Sequence, residues 1–203
     1  MDKPYELARV AVDAAILTIH NRKLHVLLYK REKEPFKGKL ELPGGLLLND
    51  ETAEETLKRK LKETIGPGNI FFSQFCTFTK PSRDPRGRTI SIGFIALINK
   101  ERIRDMEHWH DCSALSGLAF DHKEIISMAE SYLKENISSI IIKQFMPKEF
   151  PLNKLQDVYE EIEGKQYDNR NFRKKVLNSG LVVETRNIEK DVSHRPAKLF
   201  RFK

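Results

Sequence analysis

Cysteine and long apolar runs are both scarce in this sequence, and each scarcity excludes a class of protein. Only two cysteines, Cys76 and Cys112, occur among the 203 residues, which is too few for a disulfide framework or a cysteine metal cluster. The longest apolar runs, such as residues 90–98, fall well short of the ~20 residues that a membrane-spanning helix needs. The N-terminus shows no signal-peptide pattern. We therefore expect a cytoplasmic protein that does not enter a membrane.

The net charge of +7 is concentrated near the C-terminus. From residue 168 to residue 203 the chain has ten basic and four acidic side chains, so six of the seven surplus positive charges lie there. A concentrated positive charge is typical of a protein that binds a polyanion, such as nucleic acid or a membrane surface. On charge alone, a solvated basic tail explains the sequence equally well.

The first part of the chain predicts a mixture of strands and helices. Runs of β-branched and apolar residues predict strands, whereas apolar residues three and four apart predict helices. One helix is predicted to begin at Asp50 or Glu51 and to end at Gly66, and a second to cover residues 121–134 with Asp121 as its N-cap. The predicted strands cover residues 10–19, 24–29, 40–42, 70–78 and 89–98.

The hydrophobic pattern changes after residues 144–149, which contain Pro147 and predict a connector. Apolar residues then recur at helical spacing up to Gly164. Asp168 is the predicted N-cap of a further short helix, which stops at residues 178–180.

The C-terminal segment has the order of elements of a winged helix-turn-helix. Two candidate strands, residues 181–185 and 198–202, flank a polar hairpin and follow the two helices. We therefore predict two domains, residues 1–143 and residues 147–203.

A constellation of six residues resembles the Nudix box, whose family pattern is G-x5-E-x7-R-E-U-x-E-E-x-G-U, with U a bulky aliphatic residue. The matching residues are Gly45, Glu51, Arg59, Leu61, Glu63 and Gly66. The resemblance covers about the first 140 residues and implies an α+β fold, the Nudix αβα sandwich with a mixed sheet. It also implies that Glu51 and Arg59 form a scaffold ion pair rather than a catalytic one.

The residues that differ from the Nudix box pattern affect the hydrolytic activity that we expect. Hydrolytic members hold magnesium with three glutamates on one helix face, and the equivalent residues here are Lys60, Glu63 and Thr64. Magnesium prefers hard oxygen ligands, and Lys60 would repel it by several kcal/mol at an effective dielectric of about 20. We therefore expect no bound metal, no cofactor and no catalytic residue beyond the residual Glu63 position. Gly45, Lys60 and Glu63 are instead predicted to bind a ligand, with Lys60 as a countercharge for its phosphates.

A charged segment, residues 83–88, resembles a stretch of ADP-ribose-type Nudix proteins that borders their ligand site. It contains Arg83, Arg86 and Arg88, and guanidinium groups bind phosphates and carboxylates bidentately. We therefore assign the three arginines to ligand binding, although an exposed hairpin tip with solvated charges explains the same residues. His122 is expected to be structural because no partner group accompanies it in the sequence.

From Phe150 onward the chain resembles Nudix-related transcriptional regulators, which join a Nudix domain to a winged helix. The resemblance rests on the strings LAFDH at residues 118–122, FPLNKLQDVYE at 150–160, NFRKK at 171–175 and HRPAKLFRF at 194–202. Together with the Nudix match it covers nearly the whole chain. It implies a C-terminal winged helix that binds DNA.

The helix predicted after Asp168 has the features of a recognition helix. Phe172 and Val176 are four residues apart and would face the core, which leaves the basic residues on the opposite side. Arginine suits guanine and asparagine suits adenine in the major groove. A helical interaction module with a charged exposed face is the alternative interpretation. The residues predicted to bind DNA are Asn169, Arg170, Asn171, Arg173, Lys174 and Lys175 in the helix, and Lys190, His194 and Arg195 in the hairpin.

The leading hypothesis is a ligand-controlled transcriptional regulator that binds a double-stranded DNA operator as a homodimer. The candidate effectors are ADP-ribose, another NAD-related nucleotide, and a sugar or sugar phosphate. Two alternatives stay open. One is an active Nudix hydrolase of the ADP-ribose pyrophosphatase type with an accessory winged helix, which would need magnesium. The other is a Nudix protein that binds RNA.

We predict that replacing Arg173 and Lys174 with alanine abolishes specific operator binding and leaves the fold intact, because both side chains are expected to enter the major groove. Gel-shift titration of the double variant measures this, with circular dichroism as the check on folding. Wild-type binding should also weaken steeply with salt as counterions are released. Specific binding that persists unchanged in the double variant would refute this placement of the recognition helix.

Overall fold

The computed structural model describes residues 7–190, 193 and 195–203. The strands are β1 (Arg9–His20), β2 (Lys23–Leu27), β3 (Tyr29–Lys30), β4 (Leu40–Glu41), β5 (Gly44–Leu46), β6 (Phe71–Phe78), β7 (Thr89–Leu97), β8 (Trp109–Asp111), β9 (Val182–Ile188) and β10 (Lys198–Phe202). The helices are α1 (Ala53–Ile65), α2 (His122–Glu135), α3 (Ser139–Phe145), α4 (Leu152–Glu163) and α5 (Asn169–Asn178). The fold is therefore α+β, as the sequence predicts. Among the described residues, no helix has both the length and the apolar composition that crossing a membrane requires.

A mixed sheet in the order β6-β7-β1-β2-β8 forms the centre of the molecule, and β5 also pairs with β1. The β1 and β7 strands run parallel, whereas the other pairs in this sheet are antiparallel. All seven residues from 12 to 18 of β1 are buried. Because successive side chains of a strand point to opposite faces, β1 contributes to a hydrophobic core on each side of the sheet.

The two faces of the sheet are covered by different helices. One core joins Ala14 and Ile16 to Leu57 and Leu61 of α1. The other contains Ala15 and Leu17 and continues through α2, α3, α4 and α5 to the C-terminal strands. The result is the αβα sandwich with a mixed sheet that the Nudix resemblance implies.

Helix α1 begins later than the sequence predicts. Its first residue is Ala53 and its N-cap is Thr52, which forms a reciprocal capping box with Glu55. The predicted start at Asp50 or Glu51 is therefore two or three residues too early. A capping box satisfies two backbone N–H groups that the helix leaves unpaired. The predicted C-terminal end at Gly66 is confirmed, because that residue is the C-cap.

Helix α2 has Asp121 at its N-cap position, but the carboxylate of that residue makes no capping hydrogen bond. It accepts instead from the guanidinium of Arg83. Helix α3 is absent from the sequence prediction. Ser138 caps it, and Ile141, Ile142 and Phe145 are its buried residues; with only seven residues, it offers less than two full turns of periodic pattern.

The C-terminal elements form a winged helix. Asp168 caps α5 by accepting from the backbone N–H of Asn171, as predicted, and β9 and β10 form the antiparallel hairpin. Phe150, at the start of this segment, is fully buried. Its backbone N–H and C=O bond to those of Phe200 at 2.9 and 2.8 Å, which ties the entry of the winged helix to its last strand.

We predict that Phe150→Ala lowers the free energy of unfolding by about 3–5 kcal/mol, the range for removing a buried phenyl ring. Urea denaturation followed by circular dichroism measures the change. Ile188→Ala is the matched control, because Ile188 is 54% exposed and its truncation should change the free energy by less than about 0.5 kcal/mol. Equal effects of the two substitutions would contradict the burial that we assign to Phe150.

Candidate functional site

A cavity of about 370 Å³ opens where β1, β5, α1 and the N-terminus of α2 meet. Five of the six residues predicted to bind a ligand line it: Gly45, Lys60, Glu63, Arg83 and Arg86. The structure does not place Arg88 with them. Its Nη1 donates to the backbone carbonyl of Thr79 at 2.8 Å, outside the cavity lining.

Each carboxylate that lines the cavity is paired with a basic side chain. The pairs are Asp13 with Arg83, Glu41 with Arg31, Glu63 with Lys60, and Asp84 with Arg86. The lining is therefore polar and close to neutral, with cations and anions interspersed.

The Glu51–Arg59 pair holds the loop before α1 against the helix. The Nε and Nη2 atoms of Arg59 donate to the two carboxylate oxygens of Glu51 at 2.6 and 2.7 Å, and the Thr56 hydroxyl donates to the same carboxylate. The hydrogen bonds from Arg59 are the main reason that the pKa of Glu51 is lowered to about 2. The pair orients the box, as the family resemblance implies.

Lys60 lies within the Nudix box, and its side chain lines the cavity. Its Nζ donates to a Glu63 carboxylate oxygen at 2.8 Å. A Cβ at Gly45 would lie 3.0 Å from the Cε of Lys60, so the glycine leaves the space that the lysine occupies. The Thr64 hydroxyl donates to the backbone carbonyl of Lys60 at 2.8 Å, within the helix itself.

This donor set does not fit the magnesium that hydrolytic Nudix proteins hold. Glu63 is the one carboxylate among the three box positions, and the ammonium of Lys60 neutralises it. Magnesium needs near-octahedral oxygen ligands and does not share a carboxylate with an adjacent cation readily. Within residues 7–190, 193 and 195–203, no cluster of three or more His, Cys, Asp or Glu residues is arranged to hold a metal ion.

Arg83 is a buried member of the site. Its guanidinium donates to both oxygens of Asp121 at 2.8 and 2.7 Å and to Asp13 at 3.0 Å. His122 is 4% exposed, and its Nδ1 accepts from the backbone N–H of Leu42. Burial lowers the pKa of His122. The ring lines the cavity, and its Nε2 lies 3.6 Å from an Asp13 carboxylate oxygen, a partner group that the sequence does not indicate.

An aromatic pair at the cavity is absent from the sequence prediction. Phe120 lines it, and its ring packs edge to face against Phe36 with centroids 4.9 Å apart. The guanidinium groups of Arg31 and Arg86 lie 4.8 and 5.4 Å from the Phe120 centroid. Both phenylalanines adopt positive φ, 49° and 71°, which is rare for bulky residues and is found where the surrounding structure imposes it. The string LAFDH contains Phe120, but nothing in that string indicates its backbone conformation.

A second cavity of about 600 Å³ adjoins the first, and Tyr29 and Thr64 line both. Its other lining groups include Arg102, Arg104 and Trp109. Basic and aromatic side chains line each of the two cavities.

The predicted recognition helix has the expected faces. Phe172 and Val176 are buried, and the six polar and basic residues assigned to DNA contact in α5 are all exposed. The Arg173 guanidinium lies 5.9 Å from the Phe200 ring centroid. Lys190 and Arg195 are exposed on the hairpin, whereas His194 lies outside the described residues.

Comparison with known proteins places both modules. Residues 9–133 match the model of the NUDIX domain, and residues 142–202 match the model of the NrtR DNA-binding winged helix domain. A relative from Acinetobacter baylyi, described as an ADPR responsive transcriptional repressor, is 34% identical over 98% of this chain and 83% of its own length. The chain belongs to the NrtR family of Nudix-domain transcriptional regulators.

Two solved structures of the NrtR family extend the comparison. Shewanella oneidensis NrtR in complex with a 27mer DNA superimposes with a TM-score of 0.83 at 30% identity, covering 96% of this chain and 93% of that one. The NUDIX domain of the same protein, complexed with ADP ribose, gives a TM-score of 0.51 at 31% identity, covering 64% of this chain and 90% of that one. The agreement with the DNA complex extends over both modules.

We predict that Lys60→Glu increases the affinity of the box for magnesium by at least about tenfold, because a repulsive charge becomes a ligand. Isothermal titration with magnesium chloride measures the change. Lys58→Glu is the matched control: it makes the same charge change on the same helix, but Lys58 is exposed and lies beside Phe72, away from the cavity. Equal magnesium affinities in the two variants would contradict the role that we assign to Lys60.

Proposed function

We propose that this protein is an ADP-ribose-responsive transcriptional repressor whose Nudix cavity senses the ligand without cleaving it. The observation that carries the proposal is the Lys60–Glu63 ion pair at 2.8 Å, at the positions where a Nudix hydrolase holds its metal. The same chain carries a winged helix with an exposed basic recognition helix. The relative from Acinetobacter baylyi is described as a repressor of this kind.

The chemistry of the cavity suits a nucleotide diphosphate. Lys60 and Arg86 are the cations at its wall with partly exposed side chains, at 23% and 44%, and guanidinium and ammonium groups bind phosphate oxygens strongly. Tyr29 lines both cavities and offers an aromatic ring on which a base can stack. A free sugar phosphate has no base to stack, so we rank it below ADP-ribose. We rank other NAD-related nucleotides below ADP-ribose because the relative from Acinetobacter baylyi is described as ADPR responsive.

We assign sensing to residues 1–143 and DNA binding to residues 147–203, with α3 spanning the border. The predicted contacts in α5 and the hairpin would reach base edges and phosphates of an operator. We further propose that the protein acts in the cytoplasm as a homodimer, so that two winged helices occupy a palindromic site. A ligand can release the operator only if it binds the free and the DNA-bound conformations unequally.

We predict that ADP-ribose raises the melting temperature of the protein, because a ligand that binds the native state stabilises it by mass action. A thermal-shift screen would compare ADP-ribose, NAD, AMP and ribose 5-phosphate, each with and without magnesium. Arg86→Ala should weaken ADP-ribose binding by at least about tenfold through the loss of a charged hydrogen bond. Arg88→Ala is the matched control, because the structure places this arginine of the same segment outside the cavity.

The test of operator binding uses DNA duplexes that the purified protein selects from a pool of random sequences. ADP-ribose should reduce affinity for the selected duplex. If ADP-ribose does not change the affinity for the selected duplex, the proposed regulation is refuted. If the protein binds structured RNA in preference to duplex DNA, RNA and not DNA is its target. Magnesium-dependent release of AMP from ADP-ribose at ordinary enzyme rates would establish the hydrolase alternative.

A further inference from the structure

The turn between β1 and β2 has an unusual backbone. Asn21 and Arg22 form it, with φ angles of 49° and 59°. Two successive left-handed residues suit the right-handed twist of a two-residue hairpin, but glycine or asparagine normally supplies them. An arginine in this conformation is unfavourable unless its side chain makes compensating contacts.

The Arg22 side chain makes such contacts with the winged helix. Its Nε lies 3.1 Å from an Asp157 carboxylate oxygen, and its Nη2 donates to Oε2 of Glu160 at 2.8 Å. Just beyond the turn, the backbone N–H of Leu24 donates to Oε1 of Glu161 at 2.6 Å. Three carboxylates of α4 therefore hold one hairpin of the Nudix sheet.

Glu160 continues the contact to the start of the recognition helix. Its second oxygen, Oε1, accepts from the backbone N–H of Tyr167 at 2.8 Å and from Nε2 of Gln156 at 2.8 Å. Tyr167 immediately precedes Asp168, the N-cap of α5, and its ring lies 5.4 Å from that of Phe172 in α5. The Glu160 side chain is only 10% exposed, so its position is well defined.

The other end of β1 lies at the cavity. Asp13, which bonds to Arg83 there, is in the same strand as His20, which precedes the turn. At about 3.3 Å per residue the two are about 23 Å apart, along a strand that is buried between two hydrophobic cores. A close-packed interior of this kind has low compressibility and transmits strain.

We propose that Arg22 is a positioning residue that fixes the N-terminus of the recognition helix relative to the sheet that carries the ligand cavity. A displacement of the β1–β2 turn is then transmitted by Glu160 to the backbone of Tyr167 and so to α5. The regulatory part of this inference rests on the proposed function, whereas the positioning part does not. A partly exposed ion pair contributes little to global stability, so its effect is on the placement of α5.

The experiment compares Arg22→Ala with two matched controls in the full chain. Lys23→Ala removes a neighbouring charge of the same hairpin, whose partner Asp111 lies within the Nudix module. Lys154→Ala removes a different ion pair between the modules, with Glu101, in which both side chains are largely exposed. Glu160→Gln is the second test variant, because it keeps an oxygen for the Tyr167 N–H and removes the charge that Arg22 binds.

The first readout is hydrogen–deuterium exchange, which needs no DNA. We expect Arg22→Ala to accelerate exchange of amides at residues 165–171 by about threefold or more, the scale of losing support for one hydrogen bond. The two lysine controls should leave that segment unchanged. Unchanged exchange in Arg22→Ala would overturn the inference, even if the protein proves to be a repressor.

The second readout is the ratio of operator Kd values with and without ADP-ribose, measured on the selected duplex. For typical allosteric coupling this ratio is about 5–150. We expect it to fall toward 1 in Arg22→Ala and Glu160→Gln. In the two lysine controls it should keep its wild-type value. A wild-type ratio of 1 would refute the proposed function and leave the exchange result to decide the positioning role. A full wild-type ratio in both test variants would refute the regulatory part of the inference.

Discussion

Burial of β1 on both faces is the constraint on which the rest of the structure depends. Seven consecutive residues of this strand are buried, so both faces of the sheet need apolar cover. Helix α1 covers one face, and α2 is joined on the other by α3 and by the first helix of the winged module. The winged helix is consequently packed against the sheet that lines the cavity, and a displacement of that sheet would reach the winged helix through side chains in contact.

The ion pairs in the cavity lining determine which ligands can bind there. Lys60 and Arg86 are each bound to a carboxylate of the protein, so an incoming anion competes with an internal partner that is already in place. A single weak anion gains little from that exchange, whereas a diphosphate offers several oxygens and can replace two partners at once. This competition favours multiply charged ligands over singly charged ones.

The sequence predicted the elements whose signals are local. Gly66, Gly164 and Asp168 end or begin helices where expected, and the spacing of the Nudix box matched the strand, loop and helix that carry it. Asp121 is at the predicted N-cap position of α2, but its carboxylate bonds to the distant Arg83 instead of capping the helix. The start of α1 was missed although its signal, the capping box of Thr52 and Glu55, is local. The positive φ angles of Phe36 and Phe120 were also out of reach, because loop closure imposes them and no local residue preference does.

The lysine at position 60 has a further consequence for how the domain folds. A helix face with three clustered carboxylates is self-repelling until a divalent ion arrives, so its stability depends on the supply of that ion. Here the neutralising charge is the ammonium group of Lys60, which every copy of the chain carries. In the proposed sensor, this helix face would therefore need no divalent ion for its stability. The response to the ligand would then depend on the ligand concentration alone and not also on the free magnesium concentration.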